Sequence, residues 1–185
     1  AVYLPVVNSG AVKIKTIIAP HDVRHERVRS IRRSLTGKSI LHSELNEANA
    51  GSADVLIIDS IGILNQIYRY ATVAYIGGAF GSGLHNIQEP VTFGVPVIFG
   101  PRYQKFREAV ELIKLGGVFP IKTKEEFEKI FSRLLSDRTF HSTTSSICLR
   151  YVDENRGATK AILSFLEKCI FVKTEPNSDK QPKNQ

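Results

Sequence analysis

The sequence predicts an α/β fold in which a parallel sheet is covered by helices on both faces. Two observations predict it. Apolar runs and amphipathic stretches alternate regularly from residue 13 to residue 135. The apolar runs are continuous, which is typical of strands buried on both faces, whereas half-exposed strands alternate apolar and polar residues. A chain of 185 residues is long enough for one domain with a full core.

The predicted elements follow one another in a strand–helix order. Strands are predicted over residues 13–19, 39–42, 53–59, 72–77, 95–99 and 117–121, each of which contains a short apolar run. The first helix covers residues 22–35, since Val28, Ile31 and Leu35 recur on one face and Gly37 follows as a stop signal. Further helices are predicted over residues 61–70, 86–93 and 102–115.

The last third of the chain is predicted to be helical. Thr123 and Glu126 form the pattern of a capping box, which opens a helix with Phe127, Ile130 and Leu134 on its apolar side. Residues 137–170 are predicted as two more helices. From Lys173 onward the chain is polar and contains proline, so residues 171–185 are predicted to be a disordered tail. The predicted domain therefore covers residues 1–170.

Charge and cysteine content limit the function. The net charge of +7 predicts an anionic partner, which could be a phosphate, a nucleic acid or an acidic membrane surface. Cys148 and Cys169 lack metal-ligand spacing and are predicted to be reduced and half-buried, as in a cytosolic protein. No zinc spacing, carboxylate cluster or Ser/His/Asp order stands out, so neither a metal nor a catalytic residue is predicted.

A glycine-rich loop after the fourth predicted strand is the strongest sign of a ligand site. Glycines allow the backbone to approach a ligand closely, and the start of the predicted helix at residue 86 suits a phosphate. A carboxylate one turn into that helix can accept hydrogen bonds from sugar hydroxyls. The loop matches neither a dinucleotide fingerprint nor a Walker A motif. Its candidate residues are Gly78, Gly81, Gly83, His85, Asn86 and Glu89.

Two other loops are predicted to open toward the same site, because ligands of parallel sheets bind beyond the carboxyl ends of the strands. In the first, His21 and Arg24 can contact an anion, although a helix start with surface charges is the simpler explanation of these two residues. In the second, Ile61 and Gly62 can form a platform for a base, or merely a strand-to-helix turn.

The three loops together resemble the C-terminal half of bacterial Kdo transferases. These enzymes move 3-deoxy-D-manno-octulosonic acid (Kdo) from CMP-Kdo to lipid A precursor. The resemblance runs from about residue 17 to residue 168 and rests on the glycine loop, on His85-Asn-Ile-Gln-Glu-Pro90, on Gly94-Val-Pro-Val-Ile-Phe-Gly-Pro101 and on Phe106-Arg-Glu-Ala109. One departure is Ile63, which stands where the family has glutamate, so only a backbone role is expected there.

The resemblance implies a Rossmann-like domain of a GT-B glycosyltransferase that acts in lipopolysaccharide biosynthesis. It implies that Glu89 holds the ribose of CMP, that His85 and Asn86 hold the phosphate or the Kdo carboxylate, and that the first loop assists. The family's N-terminal domain, with its membrane anchor, acceptor site and catalytic base, has no counterpart in this sequence. The chain is therefore expected to be soluble and to bind donor without turnover, as part of an enzyme at the cytoplasmic face of the inner membrane. No cofactor besides the donor substrate is implied.

Two alternatives remain: another enzyme of the same fold, and a binding module of a different class. A GT-B domain that uses a UDP- or GDP-sugar would share the glycine loop and the Glu-Pro pair. A basic α/β module could bind nucleic acid through the arginines of residues 24–33, although no aromatic residues are interleaved with them. Nucleotide preference separates the first alternative, and steeply salt-dependent binding to DNA or RNA would reveal the second.

Overall fold

The computed structural model describes residues 3–9, 14–81 and 83–171. Within them lie six strands: β1 (Thr16–Ile18), β2 (Ser39–Leu41), β3 (Val55–Ile57), β4 (Ala74–Ile76), β5 (Val97–Phe99) and β6 (Val118–Pro120). The α-helices of the same residues are α1 (Leu4–Ser9), α2 (His25–Arg33), α3 (Leu64–Ile67), α4 (Gln88–Thr92), α5 (Arg107–Leu115), α6 (Lys124–Ser136), α7 (Arg138–Glu154) and α8 (Ala158–Phe171). All six predicted strands are present, each shorter than predicted, and the predicted α/β class is confirmed.

The strands form two parallel three-stranded sheets, whereas a single parallel sheet was predicted. Their orders are β1-β3-β2 and β4-β5-β6. β3 pairs with β1 and β2 at Val55, and β5 pairs with β4 and β6 at Val97. The central strands are the most buried, because each is paired on both edges. Pro120 is tolerated in β6 because an edge strand can lack one ladder N–H group.

Helix α2 packs against the first sheet with the face that the sequence predicted. Val28 and Ile31 join Ile18, Val55 and Ile57 in one buried cluster. The opposite face of α2 carries its arginines, which are exposed. The amphipathic pattern thus buries two aliphatic side chains, each worth about 1.5–3 kcal/mol.

The second sheet packs against α6. Phe127 and Leu134 of α6 form a buried cluster with Ile98 of β5 and with Ile121. Tyr3, just before α1, packs against this cluster and also against that of the first sheet. Helix α1 was not predicted, because a six-residue segment is too short to show a helical period.

Helices α2, α3, α4 and α5 all begin later than predicted, and the shifts of α4 and α5 matter for the candidate site. Helix α5 begins at Arg107 rather than at residue 102, and Phe106 before it is extended (φ −106°, ψ 104°). Helix α4 begins at Gln88 rather than at residue 86. In each case a polar loop of a few residues precedes the helix, since side-chain bonds to the backbone there compete with helical bonds.

Of the two hydrogen bonds of the predicted capping box of α6, the first is present as predicted. The Thr123 hydroxyl accepts a hydrogen bond from the Glu126 N–H (3.2 Å). The Glu126 carboxylate accepts from the N–H of Lys122 (2.6 Å), one residue before the expected partner Thr123. The helix start is therefore secured by two side chains, as predicted, with the second bond displaced by one residue.

The chain divides into two compact units, Ala1–Tyr151 and Val152–Gln185. Both sheets belong to the first unit and α8 to the second. One domain over residues 1–170 and a disordered tail over residues 171–185 remain predictions, and residues 172–185 lie outside the described part of the chain. No helix among the described residues is long and apolar enough to span a membrane.

The two cysteines are free, as predicted, but neither is half-buried. Cys148 is fully buried, and its thiol donates to the Gly117 carbonyl (Sγ–O 3.2 Å), whereas Cys169 is exposed. Burial raises the pKa of the Cys148 thiol to about 12. A thiol so placed lacks both solvent access and thiolate character, so it should be unreactive while the first unit is folded.

We therefore expect maleimide to label Cys169 in the folded chain and Cys148 only after unfolding. Mass spectrometry after labelling with and without denaturant measures this directly. Cys169→Ser is the control and should remove labelling of the folded chain altogether. Rapid labelling of Cys148 in folded Cys169→Ser would show that this thiol is not buried against the Gly117 carbonyl as described.

Candidate functional site

The glycine loop after β4 is folded back on itself. The N–H groups of Gly81 and Gly83 donate to the Gly78 carbonyl (2.7 and 3.3 Å), and the His85 N–H donates to the Gly77 carbonyl (3.3 Å). These three N–H groups are engaged inside the loop, so a phosphate bound by them would have to replace these bonds.

Gly78 is the position at which this loop requires glycine. Its φ is +89°, a backbone conformation that residues other than glycine rarely adopt. A Cβ at Gly78 would lie 2.1 Å from the Gly83 carbonyl oxygen and 2.9 Å from Cδ2 of His85. The close return of the loop is possible only because this position has no side chain.

His21 and His85, from the first and third predicted loops, lie side by side. Their rings are stacked with centroids 5.1 Å apart and an interplanar angle of 15°. Both residues are exposed. The topology therefore brings together two residues 64 positions apart, as expected for loops at the carboxyl edge of parallel strands. Two imidazoles that meet beside a glycine loop can donate hydrogen bonds to an anion.

Arg24 is engaged elsewhere. Its guanidinium forms a fork with the Asp22 carboxylate (Nη2–Oδ2 2.6 Å, Nε–Oδ2 2.9 Å), and its side chain is 85% exposed. Hydrogen bonds from Arg24 lower the pKa of Asp22 to about 2. An exposed pair of this kind adds little stability. An anion could draw Arg24 away from Asp22 at small cost, so the predicted assisting role requires a side-chain movement.

Glu89 is oriented by its own segment. The Asn86 side-chain N–H donates to Oε1 of Glu89 (3.0 Å), while the Asn86 side-chain oxygen Oδ1 accepts from the backbone N–H of Gln88 (2.9 Å). Glu89 is the second residue of α4, not one turn into it as predicted. Helix α4 has only five residues, so its contribution to binding a phosphate is small.

The neighbourhood of Glu89 is partly closed by Tyr68. Tyr68 is buried, with 9% of its surface exposed. Burial, together with the nearby Glu89 carboxylate, raises the pKa of the Tyr68 hydroxyl to about 12. Glu89 itself is half-buried. A half-buried carboxylate beside a neutral phenol is suited to accept hydrogen bonds from the hydroxyls of a ligand.

The second predicted loop stands apart as an open surface. Ile61 is 86% exposed, and Gly62 has φ +95° with no atom within 4 Å of the position of a Cβ. The exposure of Ile61 is unusual for a large aliphatic side chain in this chain. The structure is thus compatible with an apolar platform at this loop.

Arg102 was missed by sequence reasoning. Its guanidinium donates to the Gly81 carbonyl (2.6 Å), and its backbone N–H donates to the Ala79 carbonyl (3.0 Å). A Cβ at Gly100 would lie 2.5 Å from the ring of Phe80. The β5–α5 loop therefore holds the glycine loop from the other side. The predicted helix start at residue 102 concealed this role, because a helical Arg102 would have been assigned to the surface.

Sequence comparison with known proteins identifies the family of this chain. The chain is 33% identical over 137 residues to a 3-deoxy-D-manno-octulosonic acid transferase of Chlamydophila psittaci, a match that covers 72% of this chain and 31% of the relative. It is 38% identical over 85 residues to the protein of the same name from Aquifex aeolicus, covering 45% of this chain and 24% of the relative. The chain belongs to the Kdo transferase family.

A solved structure has the same fold as this chain. The C-terminal CMP-Kdo binding domain of WaaA from Acinetobacter baumannii matches with a TM-score of 0.69 at 24% identity, covering 82% of this chain and 79% of that domain. No family model matches the chain. This Kdo transferase chain spans less than a third of the length of the two relatives named above. The resemblance inferred from the sequence is confirmed as to family and fold.

Proposed function

We propose that this chain is the donor-binding domain of a glycosyltransferase that transfers Kdo from CMP-Kdo to lipid A precursor. The observation that carries the proposal is the cluster at the carboxyl edge of the strands, where the His21–His85 stack lies beside the glycine loop that leads to Glu89. Membership of the Kdo transferase family supports the choice of donor.

The residues have separate roles in this proposal. Glu89, oriented by Asn86, accepts hydrogen bonds from the ribose hydroxyls of CMP. His21 and His85 bind the phosphate or the Kdo carboxylate and stabilise the charge that develops on the departing CMP. Ile61 provides an apolar surface for the base. A base outside this chain deprotonates the acceptor hydroxyl.

Calorimetric titration with CMP, UMP, GMP and AMP tests the proposal. We expect the chain to prefer CMP, and Glu89→Ala to weaken CMP binding by about tenfold or more, because a hydrogen bond to a charged group is lost. Gln88→Ala is the matched control, since Gln88 is an exposed neighbour on the same short helix, and it should leave CMP binding unchanged. Equal binding of all four nucleotides, or unchanged binding by Glu89→Ala, would contradict the assignment.

The acceptor and the membrane belong to the proposal as well. Arg27, Arg29 and Arg33 are exposed on α2, which directly follows the His21 loop. Such a row of cations is attracted to anionic lipid headgroups. We infer that the chain works close to the cytoplasmic face of the inner membrane, where a lipid acceptor would be embedded.

A further inference from the structure

A groove beside the candidate site is not explained by nucleotide binding. It has a volume of about 470 Å³ and lies between the β5–α5 loop and the start of α6. Phe99 and Pro120, the last residues of β5 and β6, are partners in the ladder, so the groove lies at the carboxyl edge of the second sheet. Ligands of parallel sheets bind at this edge.

The groove carries more positive than negative charge. Lys122 and Lys129 line it, and neither forms an ion pair with any described residue, whereas Lys124 on the same helix pairs with Glu128 (3.3 Å). The only carboxylate of the lining, Glu126, is engaged through Oε2 by the N–H of Lys122 (2.6 Å). Two ammonium groups that face one cavity favour an anionic ligand, and Oε1 of Glu126 can accept from a hydroxyl.

The rest of the lining suits a sugar ring. Pro101, Pro120 and Ile130 provide apolar surface, and Tyr103 provides an aromatic ring with a hydroxyl. The Tyr103 ring is held by an edge contact with buried Phe99, with centroids 5.7 Å apart. Apolar and aromatic surfaces against C–H groups, with a few polar groups that fix orientation, are typical of small-molecule sites.

The groove is linked to the glycine loop through one short segment. Arg102 binds the Gly81 carbonyl, and the next residue, Tyr103, lines the groove. Gln104 also lines the groove and donates to the Pro101 carbonyl (3.0 Å), which holds the turn in place. The same short segment therefore contacts the glycine loop and lines the groove.

We propose that the groove binds an acidic sugar, with Lys122 and Lys129 holding its carboxylate and Glu126 accepting from its hydroxyls. The choice of a sugar acid over other anions rests on the proposed function, which it deepens. The sugar can come from the donor or from an acceptor that carries an acidic sugar. Both sources present the same carboxylate and hydroxyls.

Amide NMR spectra of the ¹⁵N-labelled chain, titrated with free Kdo, test the proposal. We expect saturable shifts at Gln104, Lys122 and Lys129, and little change at Gly78. The double variant Lys122→Gln/Lys129→Gln should weaken Kdo binding by about tenfold or more, since charge-assisted bonds are lost. Lys114→Gln, an exposed lysine at the end of α5, is the matched control. Mannose and acetate show whether ring and carboxylate are both needed.

Titrations with CMP, Kdo, acetate and CMP-Kdo distinguish a failure of this inference from a failure of the proposed function. If CMP binds at the glycine loop but Kdo leaves the groove unshifted, or if acetate binds as well as Kdo, the groove proposal is overturned and the donor proposal stands. If Kdo shifts the groove but CMP does not bind, the donor proposal fails alone. CMP-Kdo that shifts loop and groove together identifies the donor's sugar as the occupant. Kdo that still enters the groove of the CMP-Kdo-saturated chain identifies an acceptor sugar.

Discussion

Gly78→Ala is expected to abolish measurable CMP binding. The new Cβ would lie 2.1 Å from the Gly83 carbonyl oxygen, and the φ of +89° would have to be kept by a residue that disfavours it. The backbone term alone costs about 1–3 kcal/mol. The loop is expected to relieve the collision by moving Gly83 and His85, which separates His85 from His21. Calorimetric titration with CMP measures the loss.

Gly81→Ala is the matched control for this experiment. Gly81 lies in the same loop, but the nearest atom to a Cβ there is the Gly78 carbonyl oxygen at 3.6 Å, an ordinary contact. We expect this variant to bind CMP as the parent chain does. Comparable losses in both variants would show that the loop tolerates no side chain anywhere, and unchanged binding in Gly78→Ala would refute the described loop geometry.

Phe99→Ala is expected to produce the largest loss of stability. Phe99 is fully buried at the end of the central strand β5, and its ring contacts Tyr103. Removing a buried phenylalanine side chain costs about 3–5 kcal/mol, because transfer energy is lost and a cavity remains. Urea unfolding followed by circular dichroism measures the change in the free energy of unfolding.

The same substitution should also loosen the groove, since Tyr103 loses the ring against which it is held. Phe93→Ala is the control of equal chemistry: Phe93 is 39% exposed, so less apolar surface is buried there and its removal should cost less. Equal losses for the two variants would mean that the core of the second sheet is not organised around β5.

The strands and the buried faces of the helices were predictable because buried positions are apolar and recur in the sequence with the period of the element. β5 is apolar at every position, and all three of its residues are buried. On α2, the spacing of Val28 and Ile31 predicted the buried face correctly. The capping box was predictable because its two residues, Thr123 and Glu126, lie only three positions apart in the sequence. Helix α1 was missed because six residues carry too little of any period.

The candidate site was predicted as a set of loops, but not as a geometry. The family resemblance and the strand order placed His21 and His85 at one edge, and their stacking agrees with this. The engagement of Arg24 by Asp22 and the internal bonds of the glycine loop were not predicted. The sites of donor contact remain predictions until a nucleotide titration is done.

The sequence by itself determined the α/β class, the order of the elements, the family and the residues that meet at the carboxyl edge. These follow from local patterns and from motifs that lie together in the chain. Only the tertiary structure decided that Arg102 holds the Gly81 carbonyl and that Lys122 and Lys129 share a groove with Tyr103. The reason is physical: these contacts join loops from different strands, and the distance between such loops is set by sheet pairing and packing, which no local pattern encodes.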